Sequence, residues 1–159
     1  MFPELITDLL QDGHRVSFCA PGHSMFPTIM ANETIMVEPI EPRTVQLGDI
    51  ILYRTNGRLI AHRVIGIYTP RSDDSLVVSD PDGRSSILRH HCFFIFRGDA
   101  CAVCDEPVTA GQVLGKVVSV ERDGTSIDPY DFWYKLGCLA IAWGRRIRRL
   151  PRRIFSIFF

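Results

Sequence analysis

A serine, a histidine and two aspartates stand in this chain in an order suited to hydrolytic chemistry. Ser24 lies in the turn-like segment PGHSMFPT at positions 21–28. His62 follows in an apolar, strand-like stretch, where an imidazole needs a hydrogen-bonding partner to offset its desolvation. Asp99 and Asp105 come last, in a loop that a glycine opens. Because histidine can take a serine proton near neutral pH and a carboxylate can orient that histidine, the set suggests nucleophilic acyl transfer.

Short β-type segments separated by turn residues surround these candidates and must position them. Their composition predicts strands at positions 16–19, 34–38, 49–54, 59–67, 76–79, 92–97 and 113–120. The Asn56-Gly57 pair predicts a type I′ hairpin, since both central residues of that turn need positive φ. Apolar residues at positions 5, 6, 9 and 10 predict a short amphipathic helix ending near Gly13. We therefore predict a mostly β, coiled-sheet or barrel-like domain with a short N-terminal helix.

Charge is distributed unevenly along the 159 residues, although the formal net charge is zero. All 18 acidic residues lie at or before Asp131. The last fifteen residues hold six arginines, which are Arg145, Arg146, Arg148, Arg149, Arg152 and Arg153. Residues 1–127 are long enough for one β domain with its own core, and their acidic balance argues against a nucleic-acid partner. Residues 128–159 are predicted to form a separate, helical tail.

This tail interleaves aromatic and aliphatic residues with its arginines and ends in Ile-Phe-Ser-Ile-Phe-Phe. Such a composition suits a helix lying in a membrane interface, with the arginines attracted to anionic lipids. The alternative is a helix packed on the domain with its arginines in water. The start of the chain has acids at Glu4 and Asp8 and no basic leader segment. We therefore expect a cytoplasmic protein, peripheral to the membrane through its tail.

The five cysteines are an odd number, and without a secretory leader they imply no disulfide framework. Cys101 and Cys104 form a Cys-x-x-Cys pair that, with the nearby His90, His91 and Cys92, raises the alternatives of a zinc site or a redox dithiol. A structural zinc site normally joins two such ligand pairs, and only one is present. We therefore expect no metal and no cofactor, and we expect the cysteines to act as small buried hydrophobic residues.

Four segments together resemble the conserved boxes of the type I signal peptidase family of serine proteases. They are GHSMFPT at 22–28, GDII at 48–51, AHRVI at 61–65 and RGD at 97–99, and the resemblance covers roughly residues 18–120. Bacterial members have a lysine base just before the arginine of the third box, where this chain has His62. The chain is therefore similar to the histidine-using branch found in archaea, the endoplasmic reticulum and some spore-forming bacteria.

The resemblance implies the family's fold and a role for each matching residue. Ser24 would be the nucleophile and His62 the general base. The orienting acid would be Asp105 or Asp99, of which Asp105 is favoured. The family cleaves after small residues, so the substrate would be a peptide or precursor protein bound in shallow apolar pockets. The residues expected to line these pockets are Met25, Phe26, Pro27 and Ile35, for which the hydrophobic core is the alternative location.

Two departures from the family shape the prediction. The family's N-terminal membrane anchor has no counterpart before Ser24, where only the short acidic helix is predicted, and Ala100 replaces the usual asparagine after the Gly-Asp pair. A cytosolic maturation peptidase fits this better than general secretion. A non-catalytic peptide- or membrane-binding module on the same scaffold is the main alternative. The related self-cleaving repressor peptidases need a lysine where this chain has His62.

Overall fold

The computed structural model of this chain describes residues 3–68, 76–79, 85–88 and 93–131, and this part is mostly β, as predicted. The helix α1 spans Pro3–Gln11. The strands are β1 Val16–Ala20, β2 Glu33–Pro39, β3 Ile50–Thr55, β4 Arg58–Tyr68, β5 Leu76–Ser79, β6 Ser85–Leu88, β7 Phe93–Arg97, β8 Val108–Thr109, β9 Val113–Arg122 and β10 Thr125–Ile127. The described residues include no helix long and apolar enough to cross a bilayer.

One antiparallel sheet organises the described chain. Its strands follow the order β1-β2-β9-β3-β4-β7-β8, and β10 pairs with β9. β5 and β6 form a separate antiparallel pair. β3 and β4 therefore lie in the interior of the sheet, with neighbours on both sides. The backbone of each of these two strands is hydrogen-bonded to a strand on either side, so a residue on them has a fixed position.

Both faces of β3 are buried, and each faces a different hydrophobic cluster. Ile50 and Leu52 belong to the first core cluster, with Ile6, Leu10, Val16, Met25, Ile29, Ile35, Val37, Leu114, Val117 and Val120. Ile51 and Tyr53 belong to the second core cluster, with Val45, Val64, Phe94, Phe96, Val108 and Val113. Alternate residues of a strand point to opposite faces, so the continuous apolar run of β3 supplies both clusters.

The predicted Asn56-Gly57 turn is confirmed, and a second Asx-Gly turn joins β9 to β10. Asn56 and Gly57 have φ angles of 49° and 72° between β3 and β4, the conformation that a type I′ hairpin requires. Asp123 and Gly124 have φ angles of 51° and 74° between β9 and β10. The register of these hairpins follows from the turns, so the sequence determines locally which residues of each strand pair face each other.

Other expectations need correction or lie outside the described residues. The strands β6, β8 and β10 were not predicted, since each is short and has little alternation. The cysteines expected to be buried include Cys19, Cys101 and Cys104, all of which are exposed. Cys19 lies on the outward side of edge strand β1, and the other two lie in a surface loop. Of the predicted helical tail at 128–159, residues 132–159 lie outside the described residues.

The first residues after the predicted domain boundary pack against the sheet. The side chain of Pro129 is fully buried. The Tyr130 hydroxyl donates to the Val117 carbonyl at 2.8 Å and accepts from the Ile50 N–H at 2.9 Å. These two bonds join β3 to β9 through a side chain, so residues 128–131 are part of the folded body.

Candidate active site

The loop between β1 and β2 carries Ser24 and is closed and anchored on the core. The Asn32 N–H donates to the Ala20 carbonyl at 2.7 Å, which joins the two ends of the loop. Met25 and Ile29 insert into the first core cluster, where they are 4% and 2% exposed. Ser24, next to the buried Met25, is itself only half-buried. The sequence therefore holds a partly accessible hydroxyl on a loop whose neighbouring side chains are fixed.

His62 lies on the interior strand β4, and its imidazole meets the Ser24 hydroxyl. His62 is paired with Ile51 across the ladder and shares a face with Val64, next to the second core cluster. The residue is 7% exposed. Its Nε2 lies 2.8 Å from Ser24 Oγ, which is hydrogen-bond distance. The desolvation that the sequence implied for this histidine is thus offset by a hydroxyl from the serine loop.

Asp105 lies on the other side of the imidazole. Its Oδ2 is 2.6 Å from His62 Nδ1, and its backbone N–H donates to the Phe96 carbonyl at 2.9 Å. An ionised carboxylate can only accept, so in the neutral imidazole Nδ1 carries the proton and Nε2 accepts from Ser24. The structure thus brings Ser24, His62 and Asp105 into one chain of hydrogen bonds. This is the order of groups that activates a serine hydroxyl.

Asp99 faces a different partner. Its carboxylate accepts from Arg63 Nε at 2.8 Å and from Arg63 Nη2 at 2.7 Å, and it also accepts from the Thr28 hydroxyl. Arg63 Nη1 donates to the Gly48 carbonyl at 2.8 Å. This two-pronged ion pair ties the serine loop to the Gly-Asp loop and to the turn before β3. Of the two aspartates that the sequence left open, Asp105 contacts His62 and Asp99 pairs with Arg63.

Gly98 is the point at which the Gly-Asp loop meets the serine loop. The Ala100 N–H donates to the Ser24 carbonyl at 2.8 Å. A Cβ at position 98 would lie 2.5 Å from the Ser24 carbonyl oxygen, 2.9 Å from Cys101 Sγ and 3.0 Å from His62 Nε2. All three distances are shorter than an ordinary contact with carbon. Only glycine allows the backbone to approach the serine and the histidine this closely.

Two residues of the site were not identified as candidates from the sequence. Arg63 directly follows His62, and its contacts with Asp99 explain why that carboxylate is not available to the imidazole. Tyr53 on β3 donates its hydroxyl to Asp105 Oδ2 at 2.9 Å. A signal for Tyr53 existed in the hairpin register: it is paired with Ile60, two residues before His62, which makes tyrosine and histidine diagonal neighbours on one face.

The residues expected to line a substrate pocket are mostly in the core. Met25 and Ile35 are 4% and 0% exposed and belong to the first core cluster, so Ile35 offers no surface to a ligand in this structure. Pro27 is buried and follows a cis peptide bond, and Phe26 is half-buried. Core and pocket residues have the same apolar composition, so the sequence left both locations open for these four residues.

The Cys-x-x-Cys pair lies in the loop between Asp99 and Asp105, and both of its cysteines are exposed and free. His90, His91 and Cys92, named with them as alternative zinc ligands, lie outside the described residues. Within the described part of the chain, no three histidine, cysteine or acidic side chains are grouped as a metal site.

Comparison of the sequence with protein families and with curated proteins gives no counterpart for this site. No family model matches the chain, and no curated protein matches it either. Its chemistry is therefore inferred from the hydrogen-bonded chain of Ser24, His62 and Asp105.

Proposed function

We propose that this chain is a serine endopeptidase of the signal peptidase type, which cleaves a precursor peptide or protein after small residues. One observation carries the proposal. A continuous hydrogen-bonded chain runs from Ser24 Oγ through His62 Nε2 and Nδ1 to Asp105 Oδ2, with separations of 2.8 Å and 2.6 Å. A serine in a structural turn needs no such partner. A histidine bound on both nitrogens in this order is a general base with its tautomer fixed.

The proposed reaction is acyl transfer. As Ser24 Oγ bonds to the scissile carbonyl carbon, its proton passes to His62 Nε2, and the carbonyl electrons move to oxygen. The Ser24 backbone N–H stabilises that oxyanion. The peptide C–N bond then breaks, and His62 gives its proton to the leaving amine. Water attacks the acyl-enzyme in the same way, releasing the new carboxyl group and restoring the Ser24 hydroxyl. Asp105 keeps its charge throughout and stabilises the imidazolium.

The finer fold assignment and the cellular setting belong to the same proposal. An antiparallel sheet with apolar clusters on both faces of β3 supports the coiled, barrel-like arrangement of the signal peptidase fold. The arginine-rich residues after Asp131 are proposed to attach the enzyme to an anionic membrane surface from the cytoplasmic side. This attachment would bring the half-buried Ser24 close to membrane-associated precursors.

A fluorophosphonate probe tests the proposal without a known substrate, because it reacts covalently with an activated serine. We expect the full chain to be labelled at Ser24, and we expect Ser24→Ala and His62→Gln to abolish labelling. Ser126→Ala and His23→Gln are matched controls, since both residues are exposed and lie outside the hydrogen-bonded chain. Cleavage of a mixed peptide library, read by mass spectrometry, should give products that end in small residues. An unlabelled full chain would refute the enzyme and favour a binding module.

A further inference from the structure

The aromatic ring of Tyr53 is fixed beside the proposed catalytic residues. Tyr53 is 1% exposed, and its ring stacks on Phe96 with centroids 4.5 Å apart and planes inclined by 10°. The ring also meets the His62 imidazole edge-on, at 6.4 Å between centroids and 64° between planes. A register shift between Leu52 and Tyr53 sets the pairing of this residue with β9. The position of the Tyr53 hydroxyl is therefore determined by packing on two sides.

Two donors converge on a single oxygen of Asp105. Asp105 Oδ2 accepts from His62 Nδ1 at 2.6 Å and from the Tyr53 hydroxyl at 2.9 Å. The Asp105 side chain is 28% exposed and belongs to a loop rather than a strand. Its backbone bond to Phe96 fixes the main chain but leaves the carboxylate free to rotate about its side-chain torsions. A donor on the buried side restricts that rotation.

Tyr53 is suited to this task because it stays protonated. Burial raises the pKa of Tyr53 strongly, and the hydrogen bond to Asp105 and the negative charge of Asp105 raise it further. Cys101 contributes in the same direction. Asp105 and Cys101 thus both favour the neutral phenol, and the His62 ring lies edge-on beside it.

We propose that Tyr53 is a positioning residue that holds Asp105 Oδ2 against His62 Nδ1. This role rests on the proposed function, since it requires Asp105 to orient a catalytic histidine. Tyr53 acts on the reaction through the carboxylate and does not contact the reacting atoms. The sheet fixes tyrosine and histidine relative to each other, and the hydroxyl extends that rigidity to the loop carboxylate.

Tyr53→Phe tests the proposal, because it removes one oxygen and keeps the stacked ring. The assay is saturation kinetics of Ser24 labelling by the fluorophosphonate probe. We expect the maximal labelling rate to fall about tenfold, as for loss of a hydrogen bond to a charged group, with the half-saturating probe concentration unchanged. Tyr130→Phe is the matched control, since Tyr130 also has a hydrogen-bonded hydroxyl but packs against the first core cluster, whereas Tyr53 belongs to the second. This control should keep the wild-type labelling rate.

A double-mutant cycle separates positioning from general stability. In the background of Asp105→Asn, Tyr53→Phe should cause no further loss of labelling rate, because its effect passes through the carboxylate. An equal loss in both backgrounds, or an unchanged rate for Tyr53→Phe alone, overturns the role. If the full chain is labelled and only the Tyr53 result fails, the proposed function stands. If the full chain is not labelled, both fail.

A measurement on the unsubstituted protein covers the case in which Tyr53→Phe does not fold. The hydroxyl proton of Tyr53 and the Nδ1 proton of His62 share one acceptor, so NMR at low temperature should show a nuclear Overhauser effect between them. Two assigned, slowly exchanging protons without that effect would overturn the proposed arrangement.

Discussion

Adding a single methyl group at Gly98 should inactivate the site while leaving the protein folded. The new Cβ of Gly98→Ala would lie 2.5 Å from the Ser24 carbonyl oxygen and 3.0 Å from His62 Nε2. An ordinary contact needs about 3.5 Å, so the atoms must separate by about 1 Å. The Ser24 oxygen belongs to the backbone and already accepts from the Ala100 N–H at 2.8 Å. The displacement must therefore move the serine loop or the Gly-Asp loop as a whole.

The expected size of the effect follows from that displacement. A misplacement of about 1 Å in a catalytic group costs about 100-fold in rate. Overpacking at one position costs about 1–3 kcal/mol of the free energy of unfolding, which a folded domain can tolerate. We therefore expect Gly98→Ala to reduce the rate of Ser24 labelling about 100-fold, with a lower melting temperature but a cooperative unfolding transition.

Gly111→Ala is the matched control, because a Cβ at Gly111 would meet no atom within 4 Å. This variant should be labelled at the wild-type rate and should melt at the same temperature or slightly higher, since alanine restricts the unfolded chain. Labelling of Gly98→Ala at the wild-type rate would refute the close packing of the two loops around His62. Equal loss in both variants would also refute it, because the effect would then not depend on the contacts of position 98.

Two further predictions concern carboxylates. Asp105→Asn should reduce the labelling rate about 10⁴-fold with little change in the free energy of unfolding. Asp99→Asn should keep the labelling rate within about tenfold of wild type. It should lower the free energy of unfolding by about 2 kcal/mol, because it weakens the partly buried pair with Arg63. Similar kinetic losses in both would contradict the assignment of the acid. Burial alone would raise the pKa of Glu33, but Arg122 and a backbone N–H lower it below 4.5 overall. Glu33 therefore stabilises the folded state fully above pH 4.5, and this contribution disappears as the pH falls through the lower folded-state pKa. In urea titrations, Glu33→Gln should lower the free energy of unfolding by about 2 kcal/mol at pH 7, and this free energy should depend less on pH in acid. An unchanged pH dependence in acid would show that the Arg122 pair does not act on Glu33.

The elements of this fold were predictable where local chemistry determines them. Asn56-Gly57 sets the β3–β4 hairpin, and the apolar residues of α1 alternate with acids at a helical period. The short strand β8 was not predictable, because two residues carry no period and its pairing depends on β7. The division of β3 between two clusters was also hidden, since a continuous apolar run does not say what covers each face.

Strand alternation separates the partners of Asp99 and Asp105. His62 and Arg63 are consecutive residues of a strand, so their side chains point to opposite faces. A loop that supplies two carboxylates to the end of this strand can give one to each face, the first to the arginine and the second to the histidine. The contacts follow that division: Asp99 pairs with Arg63, and Asp105 reaches His62. The sequence does not show which of the two aspartates goes to which face of the strand. That assignment depends on the bond from the Asp105 N–H to the Phe96 carbonyl, which returns the loop to the side of the second core cluster, where His62 and Tyr53 lie.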